Sequence, residues 1–186
     1  MGKFKIYRDV ENMKGLCVIE PEVVRIGREE WMETYNLEEF NEAGLDYHFV
    51  QDNEVHNKKG VLRGMHVNKS HPQGKMIRVL SGKIFDVVVD LRKGSRTYEK
   101  WCGVILSAEN KRQLYIPEGM GHGYLTLTEA DVLFKVTTHF IEGEEIGFAW
   151  NSRKLGIQWP EIGQEYIMSC NDRENRDLSL LEAHLR

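Results

Sequence analysis

His66, in the segment "RGMHVN", is the residue whose chemistry decides most about this sequence. A histidine at such a position can bind a metal, act as a base near neutral pH, or pack inside the protein without any chemistry. The segment itself predicts a β-strand, because Met65 and Val67 alternate with the histidine. A second histidine, His122, lies in "IPEGMGHG", directly before another strand-like run. The surrounding sequence has to distinguish metal binding, proton transfer and packing.

The spacing around the two histidines resembles only part of a metal site. Metal-binding double-stranded β-barrels of the cupin type carry a G-x5-H-x-H-x3-4-E-x6-G run and a P-x-G-x2-H turn. Pro117, Gly119 and His122 match the turn. In the run, however, Asn68 stands at the position of the second histidine, and no glutamate follows at the required distance. Because two histidines without a third strong ligand make a poor transition-metal site, we expect a barrel without a metal.

Short strand-like runs dominate the middle of the chain, from "LDYHFVQDN" to "IGFAWN", and turn residues such as Ser81-Gly82 separate them. Regular short strands with close turns predict a β-sandwich or barrel. Helical patterns occur at roughly 36–43, where Asn36 is the N-cap, and in the terminal "LSLLEAHLR". Without a linker or repeat, residues 1–186 are expected to form one all-β domain with short marginal helices and a helical extension from about residue 175.

The composition favours an ordinary globular protein. Hydrophobic residues make up 41% and charged residues 29% of the chain, and the formal net charge is −4. This charge argues against a dedicated nucleic-acid binder but allows a local basic pocket for an anion. No apolar run approaches the roughly 18 residues that span a bilayer. Three scattered cysteines without a CxxC pair predict a reduced, cytoplasmic protein.

Four segments resemble the dTDP-4-dehydrorhamnose 3,5-epimerase family: "GVLRGMHVN", "QGKMIRVLSGKIFDVVVDLRKGS", "GVILSAENKRQLYIPEGMGHGYL" and "GIQWP". The similarity extends from about residue 19 to about residue 174, and "LSAENKRQLYIPEG" is its most specific part. The resemblance implies a cupin-like jelly roll that needs no metal or other cofactor. It also implies a homodimer that acts on nucleotide-linked 4-keto-6-deoxy sugars.

A ketone at C4 of such a sugar acidifies the hydrogens on C3 and C5, because removal of either proton gives an enolate. An epimerase therefore needs a base, a group that stabilises the enolate oxygen, and a proton donor on the other face of the sugar. The resemblance implies that His66 is the base, that Asp172 orients and charges it, and that Lys75 is the cation beside the enolate oxygen. Asp86 and His122 match a second His–Asp pair, which is either supportive or purely structural.

The resemblance also implies a nucleotide-binding set. Arg28 and Arg63 match positions that bind the diphosphate, where a guanidinium can contact phosphate oxygens in a bidentate manner. Four more residues match nucleoside contacts or aromatic positions that flank the base, although the aromatics also fit a packed core: Gln51, Asn53, Trp31 and Phe140. The expected partner is a nucleotide-diphosphate sugar, with dTDP ahead of GDP or CDP. Neither nucleic acid nor a membrane is expected as a partner.

The sequence departs from the family at the catalytic tyrosine. The family's "YKxT" run reads "FKVT" here, so Phe134 has no hydroxyl with which to transfer a proton. Three outcomes are open. The enzyme epimerises one carbon, with water or another side chain such as Tyr124 returning the proton, although Tyr124 also fits simple packing on a strand. Alternatively, His66 removes and returns a proton on one face in a ketoisomerase-like shift, or the protein binds a sugar nucleotide without turnover.

We therefore expect a cofactor-independent carbohydrate epimerase that acts at C3, C5 or both through an enolate. Its product would serve deoxysugar or surface polysaccharide biosynthesis. A nucleotide-sugar 3,4-ketoisomerase, a catalytically silent sugar-nucleotide-binding protein and a metal-dependent cupin oxygenase are the competing interpretations.

Overall fold

The computed structural model describes residues 3–68 and 70–180, in which strands dominate and helices are short. The strands are β1 (Phe4–Tyr7), β2 (Cys17–Pro21), β3 (Val24–Ile26), β4 (Glu29–Trp31), β5 (Gln51–Asn57), β6 (Leu62–Asn68), β7 (Lys75–Ser81), β8 (Lys83–Asp90), β9 (Trp101–Ser107), β10 (Gln113–Ile116), β11 (Met120–Thr126), β12 (Ala130–Val136) and β13 (Glu145–Gly147). The helices are α1 (Leu37–Glu42) and α2 (Cys170–Glu174), with 3-10 turns at Val10–Asn12 and Leu178–Leu180.

Two large antiparallel sheets form the framework. One has the strand order β1-β2-β10-β7-β12-β5 and the other the order β13-β6-β11-β8-β9, while β3 and β4 form a separate hairpin. Inward-facing side chains of both sheets, such as Ile77, Val88 and Leu106, make one buried core cluster. Alternation along each strand provides this inner face, because successive side chains point to opposite sides of a sheet. The predicted all-β jelly roll with short marginal helices is confirmed.

Strand β11 is buried along its whole length because both of its faces are covered. Met120 and Tyr124 belong to the core between the sheets. On the other face Phe148 lies so close that a side chain at Gly121 would meet its ring at 2.7 Å. His122, between these residues, is therefore held on a rigid central strand.

A buried carboxylate organises the connection from β8 to β9. Asp90 is fully buried and accepts hydrogen bonds from the side chains of Arg92, Ser95 and Thr97 at 2.6–2.9 Å. Burial acts to raise the pKa of Asp90, but these hydrogen bonds outweigh it and hold the pKa well below its usual range. The loop is thus tied to the end of β8 by a charged network.

Local signals predicted α1 well and the flanking segments less well. Asn36 accepts hydrogen bonds from the amides of Glu38 and Glu39, which confirms the predicted N-cap. The predicted strand over 45–53 is wrong in its first half: β5 begins at Gln51. Leu45 instead packs with neighbouring aromatic residues on the outer face of the six-stranded sheet, so the alternating pattern reflects burial without strand pairing.

The predictions cover only part of the structure near the two ends of the chain. The sequence patterns gave no indication of β1 to β4 or of α2. Of the predicted terminal helix, Leu178–Leu180 forms a 3-10 turn, and residues 181–186 lie outside the described part. The single domain over 1–186 and its helical extension therefore stay predictions. Among the described residues, no helix combines the length and apolar character required to cross a membrane.

Candidate active site

A cavity of about 210 Å³ lies between the two large sheets. It is lined by Asn53, Val55, Arg63, His66, Gln73, Lys75, His122, Gly123, Tyr124, Phe134, Val136, Phe140 and Glu145. Ligand pockets usually measure roughly 300–1,000 Å³, so this cavity suits part of a ligand better than a whole nucleotide sugar.

His66 and Asp172 form a close hydrogen-bonded pair at the cavity. The ring Nε2 of His66 lies 2.6 Å from Oδ1 of Asp172, and the side chains are 29% and 7% exposed. Burial acts to raise the pKa of Asp172, but the hydrogen bond and charge of His66, with a hydrogen bond from Ser169, lower it below its ordinary value. An ionised carboxylate at this distance fixes the ring orientation and stabilises a protonated imidazole.

Two glycines let the histidine-bearing strands approach each other. His66 on β6 and His122 on β11 are directly opposite partners, and the register shifts between His122 and Tyr124. Gly64 adopts a φ of +107°, and a Cβ at this position would come within 2.7 Å of the backbone of Gly123. Glycine is required because a side chain would fit neither this backbone conformation nor the space. The close approach brings the two imidazoles to one wall of the cavity.

His122 pairs with a carboxylate of its own. Its Nε2 lies 3.0 Å from both oxygens of Asp86, whose side chain is completely buried. Burial raises the pKa of Asp86, against the opposing charges of His122 and Lys75. Asp86 has no solvent contact, so the carboxylate is buried against the His122 ring at the cavity wall.

Lys75 enters the cavity from β7, in the opposite sheet. Its Nζ lies 3.2 Å from Oε1 of Glu145, and its side chain is 14% exposed. Burial acts to raise the pKa of Glu145, but the charges of Lys75, His66 and His122 lower it. The ammonium of Lys75 thus faces the two histidines, and the carboxylate of Glu145 reaches it from the histidines' own sheet. The cavity therefore has groups that can accept a proton and a group that can stabilise an anion.

The remaining predicted residues fall into three groups. Arg63, Asn53, Tyr124, Phe134 and Phe140 line the cavity with the catalytic candidates. Gln51 does not line it, but its side chain donates to Asn53 and accepts a hydrogen bond from the amide of Phe140, so it orients residues that do.

Arg28 and Trp31 lie elsewhere, in the β3–β4 hairpin, and neither lines the cavity. The hairpin residue Glu30 pairs with Lys111 at 3.7 Å. Lys111 lies just before the first residue of β10. Lys75 pairs with Ile116 at the opposite end of β10, so the hairpin contacts the end of β10 that is remote from Lys75. Trp31 is 55% exposed and does not line the cavity of its own chain.

The sequence patterns missed Glu145 and Gln73 as cavity residues. Glu145 lies in the charged segment "EGEEIG", which is typical of a solvated loop. Only the pairing of β13 with β6, in which Gly147 is opposite His66, carries Glu145 to the cavity. No local signal encodes that long-range pairing. Within the described part of the chain, no three His, Cys, Asp or Glu side chains gather as a metal-binding group.

The chain is similar over most of its length to proteins that are named as sugar-nucleotide epimerases. A dTDP-4-dehydrorhamnose 3,5-epimerase of Methanothermobacter thermautotrophicus is 44% identical over 180 residues, which is 96% of this chain and 96% of the relative. The solved Legionella pneumophila dTDP-6-deoxy-D-glucose-3,5-epimerase, in complex with dTDP-4-keto-L-rhamnose, has a TM-score of 0.91 at 38% identity and covers 98% of this chain and 96% of its own.

A solved 3′-monoepimerase of Streptomyces bikiniensis, in complex with dTDP-quinovose, has a TM-score of 0.86 at 30% identity, with 92% of this chain and 88% of the neighbour covered. The family model described as dTDP-4-dehydrorhamnose 3,5-epimerase matches residues 11–179. This match covers most of the chain, including the strands that line the cavity and the helix that carries Asp172. The chain therefore belongs to the dTDP-4-dehydrorhamnose 3,5-epimerase family.

Proposed function

We propose that this protein is a cofactor-independent epimerase of a dTDP-linked 4-keto-6-deoxy sugar, in deoxysugar or surface polysaccharide biosynthesis. The observation that carries the proposal is the 2.6 Å pair of His66 and Asp172, which shares a cavity with Lys75. A base with its own counter-ion and a cation in the other wall are the groups that enolate chemistry requires.

In the proposed reaction, His66 accepts the proton from a carbon next to the C4 ketone. The electron pair of the broken C–H bond moves into the enolate, whose oxygen lies beside the ammonium of Lys75. Asp172 stabilises the imidazolium that forms, and this stabilisation lasts only while His66 carries the proton. A proton then returns to the carbon, and return on the other face inverts it. His122 and Asp86 support the wall that carries the base.

Phe134 is proposed to stand where the family's catalytic tyrosine stands. A phenyl ring cannot return a proton, so the second half of the reaction needs another donor, or it is confined to one carbon. Among the solved neighbours, the Streptomyces bikiniensis protein is described as a 3′-monoepimerase. Inversion at C3 alone, at C5 alone or at both carbons is therefore the feature to measure.

The nucleotide is proposed to bind mostly outside the cavity, with Arg63, Asn53 and Phe140 at its mouth. Arg28 and Trp31 are too remote from the cavity of their own chain to help, and Ile26 in the same hairpin is 68% exposed. We infer that the protein works as a cytoplasmic homodimer in which each hairpin lies over the cavity of the partner. The apolar side chains would then be covered and the diphosphate would gain a second arginine.

Product analysis tests the proposal. Purified protein is incubated with dTDP-4-keto-6-deoxy-D-glucose, and proton NMR follows the configuration at C3 and C5. The expected result is inversion at C3, C5 or both. A 3-keto product would identify a ketoisomerase instead. Binding of the nucleotide sugar without any new product would identify a silent binding protein. Turnover only of GDP- or CDP-linked sugars would assign GDP or CDP, and not dTDP, as the nucleotide of the substrate.

A further inference from the structure

The cavity wall opposite the two histidines is poor in groups that can return a proton. On β5 and β12, Val55, Phe134 and Val136 face the cavity, and Asn53 is held by Gln51. Lys75 is paired with Glu145. Glu145 has a lowered pKa and is an acceptor rather than a donor. Inversion of a carbon needs a proton on the face away from His66, so the donor has to reach across from elsewhere.

The Tyr124 side chain crosses the space between the sheets. It starts on β11, two residues after His122, but its hydroxyl accepts a hydrogen bond of 3.1 Å from Nδ2 of Asn57 on β5. Its ring centre lies 6.0 Å from that of Phe134 and 6.2 Å from that of His122. Tyr124 thus carries a hydroxyl from the strand of one histidine to the sheet that faces them.

The hydroxyl of Tyr124 has a proton available to a ligand. Asn57 donates to the oxygen, and the positive charge of Arg63 acts on the same hydroxyl. No group in residues 3–68 and 70–180 accepts the hydroxyl proton, although Tyr124 lines the cavity. Burial raises the pKa of Tyr124, and the charge of Arg63 with the hydrogen bond from Asn57 opposes that increase. The group therefore remains a phenol at neutral pH, and Asn57 with the charge of Arg63 can stabilise the phenolate that proton transfer leaves.

We propose that Tyr124 is the catalytic acid that returns a proton to the sugar carbon on the face opposite His66. This inference rests on the proposed epimerase function. The O–H bond of Tyr124 breaks, a C–H bond forms with the electron pair of the enolate, and the C4 carbonyl is restored. The phenolate remains between Asn57 and Arg63 until it takes a proton from water. His66, which holds the abstracted proton, releases it to solvent.

The test separates proton removal from inversion in deuterated water. Tyr124→Phe removes one oxygen and keeps the ring that packs in the core. His66 can still remove a proton, exchange it with solvent and return deuterium to the same face. Label uptake with retained configuration is therefore expected to continue, while inversion falls by about 10²- to 10⁴-fold, the usual contribution of a general acid. Tyr166→Phe is the matched control, because its hydroxyl donates to the Pro160 carbonyl, its ring packs on Trp150, and it does not line the cavity.

The outcomes distinguish this inference from the proposed function. Two results would overturn the role of Tyr124 but leave the epimerase function intact. One is inversion by Tyr124→Phe at the wild-type rate, and the other is an equal loss of label uptake and inversion in the folded variant. No label uptake and no inversion by the wild type would overturn the epimerase function itself. If Tyr124→Phe is unfolded at the assay temperature, Asn57→Ala carries the test. Its expected effect is slower inversion relative to label uptake, and an unchanged ratio would refute the proposal.

Discussion

Replacement of Asp172 by asparagine should slow proton removal without disturbing the fold. The amide has nearly the shape of the carboxylate but carries no charge, and Asp172 lies 2.6 Å from His66 at 7% exposure. Two unit charges about 4 Å apart interact by about 4 kcal/mol at an effective dielectric constant near 20. Because His66 is 29% exposed, solvent screens part of this energy.

A charged hydrogen bond contributes about 1.5–3 kcal/mol after solvent competition, and we take the upper end for this short, half-buried pair. A loss of about 3 kcal/mol in the transition state corresponds to a rate about 10²-fold lower. If the asparagine turns its NH₂ towards His66, the ring is forced into the wrong tautomer and the loss becomes larger.

The assay is the initial rate of solvent deuterium uptake into the 4-keto sugar by Asp172→Asn, with the melting temperature as the measure of folding. Asp177→Asn is the matched control. Its carboxylate also has a lowered pKa, accepts hydrogen bonds from the amides of Arg153 and Ser179, and does not touch the cavity. The control should exchange at the wild-type rate. Wild-type exchange by folded Asp172→Asn would refute the assigned role of the His66–Asp172 pair.

Three further predictions follow from the same structure. Lys75→Met should lower the rate of deuterium uptake by about 10²- to 10³-fold, as for the loss of one enolate-stabilising donor, and an unchanged rate would place the enolate oxygen elsewhere. Trp31→Ala should raise KM with little change in kcat. Leu37→Ala also truncates an exposed apolar residue and should change neither constant. Equal KM values for the two variants would show that the hairpin does not belong to the nucleotide site. Asp90→Asn should lower the free energy of unfolding by about 3 kcal/mol at pH 7, as for a broken buried ion pair. Because the folded pKa of Asp90 is depressed, that difference should shrink in urea melts below about pH 4, where the unfolded carboxyl takes up protons, and a difference that grows in acid would contradict the assignment.

Local sequence patterns predicted the parts of the fold that local forces determine. The N-cap at Asn36 and the central strands follow from side-chain hydrogen bonding and from alternation, which act over a few residues. The run from Leu45 alternates equally well but packs outside the sheet, because alternation reports burial and not strand pairing. The β3–β4 hairpin was not predicted because each of its strands has only three residues and all three residues of β4 are exposed, so no alternation of burial marks them.

For the candidate site, family resemblance supplied what local patterns lack. His66 and Asp172 are separated by 106 residues, so no spacing rule connects them. Glu145 was missed because a charged loop gives no sign of its pairing with β6. The path of Tyr124 towards Asn57 depends on how the two sheets face each other, which the sequence of one strand does not contain.

His66 as the proton-removing base is tested most directly by deuterium uptake at C3 and C5 of dTDP-4-keto-6-deoxy-D-glucose, followed by NMR for the wild type, His66→Asn and His48→Asn. His48 is an exposed histidine outside the cavity and serves as the matched control. Uptake is expected with the wild type and with His48→Asn, and none above background with His66→Asn. Uptake by folded His66→Asn at the wild-type rate would show that another group removes the proton and would refute the role of His66 as the base.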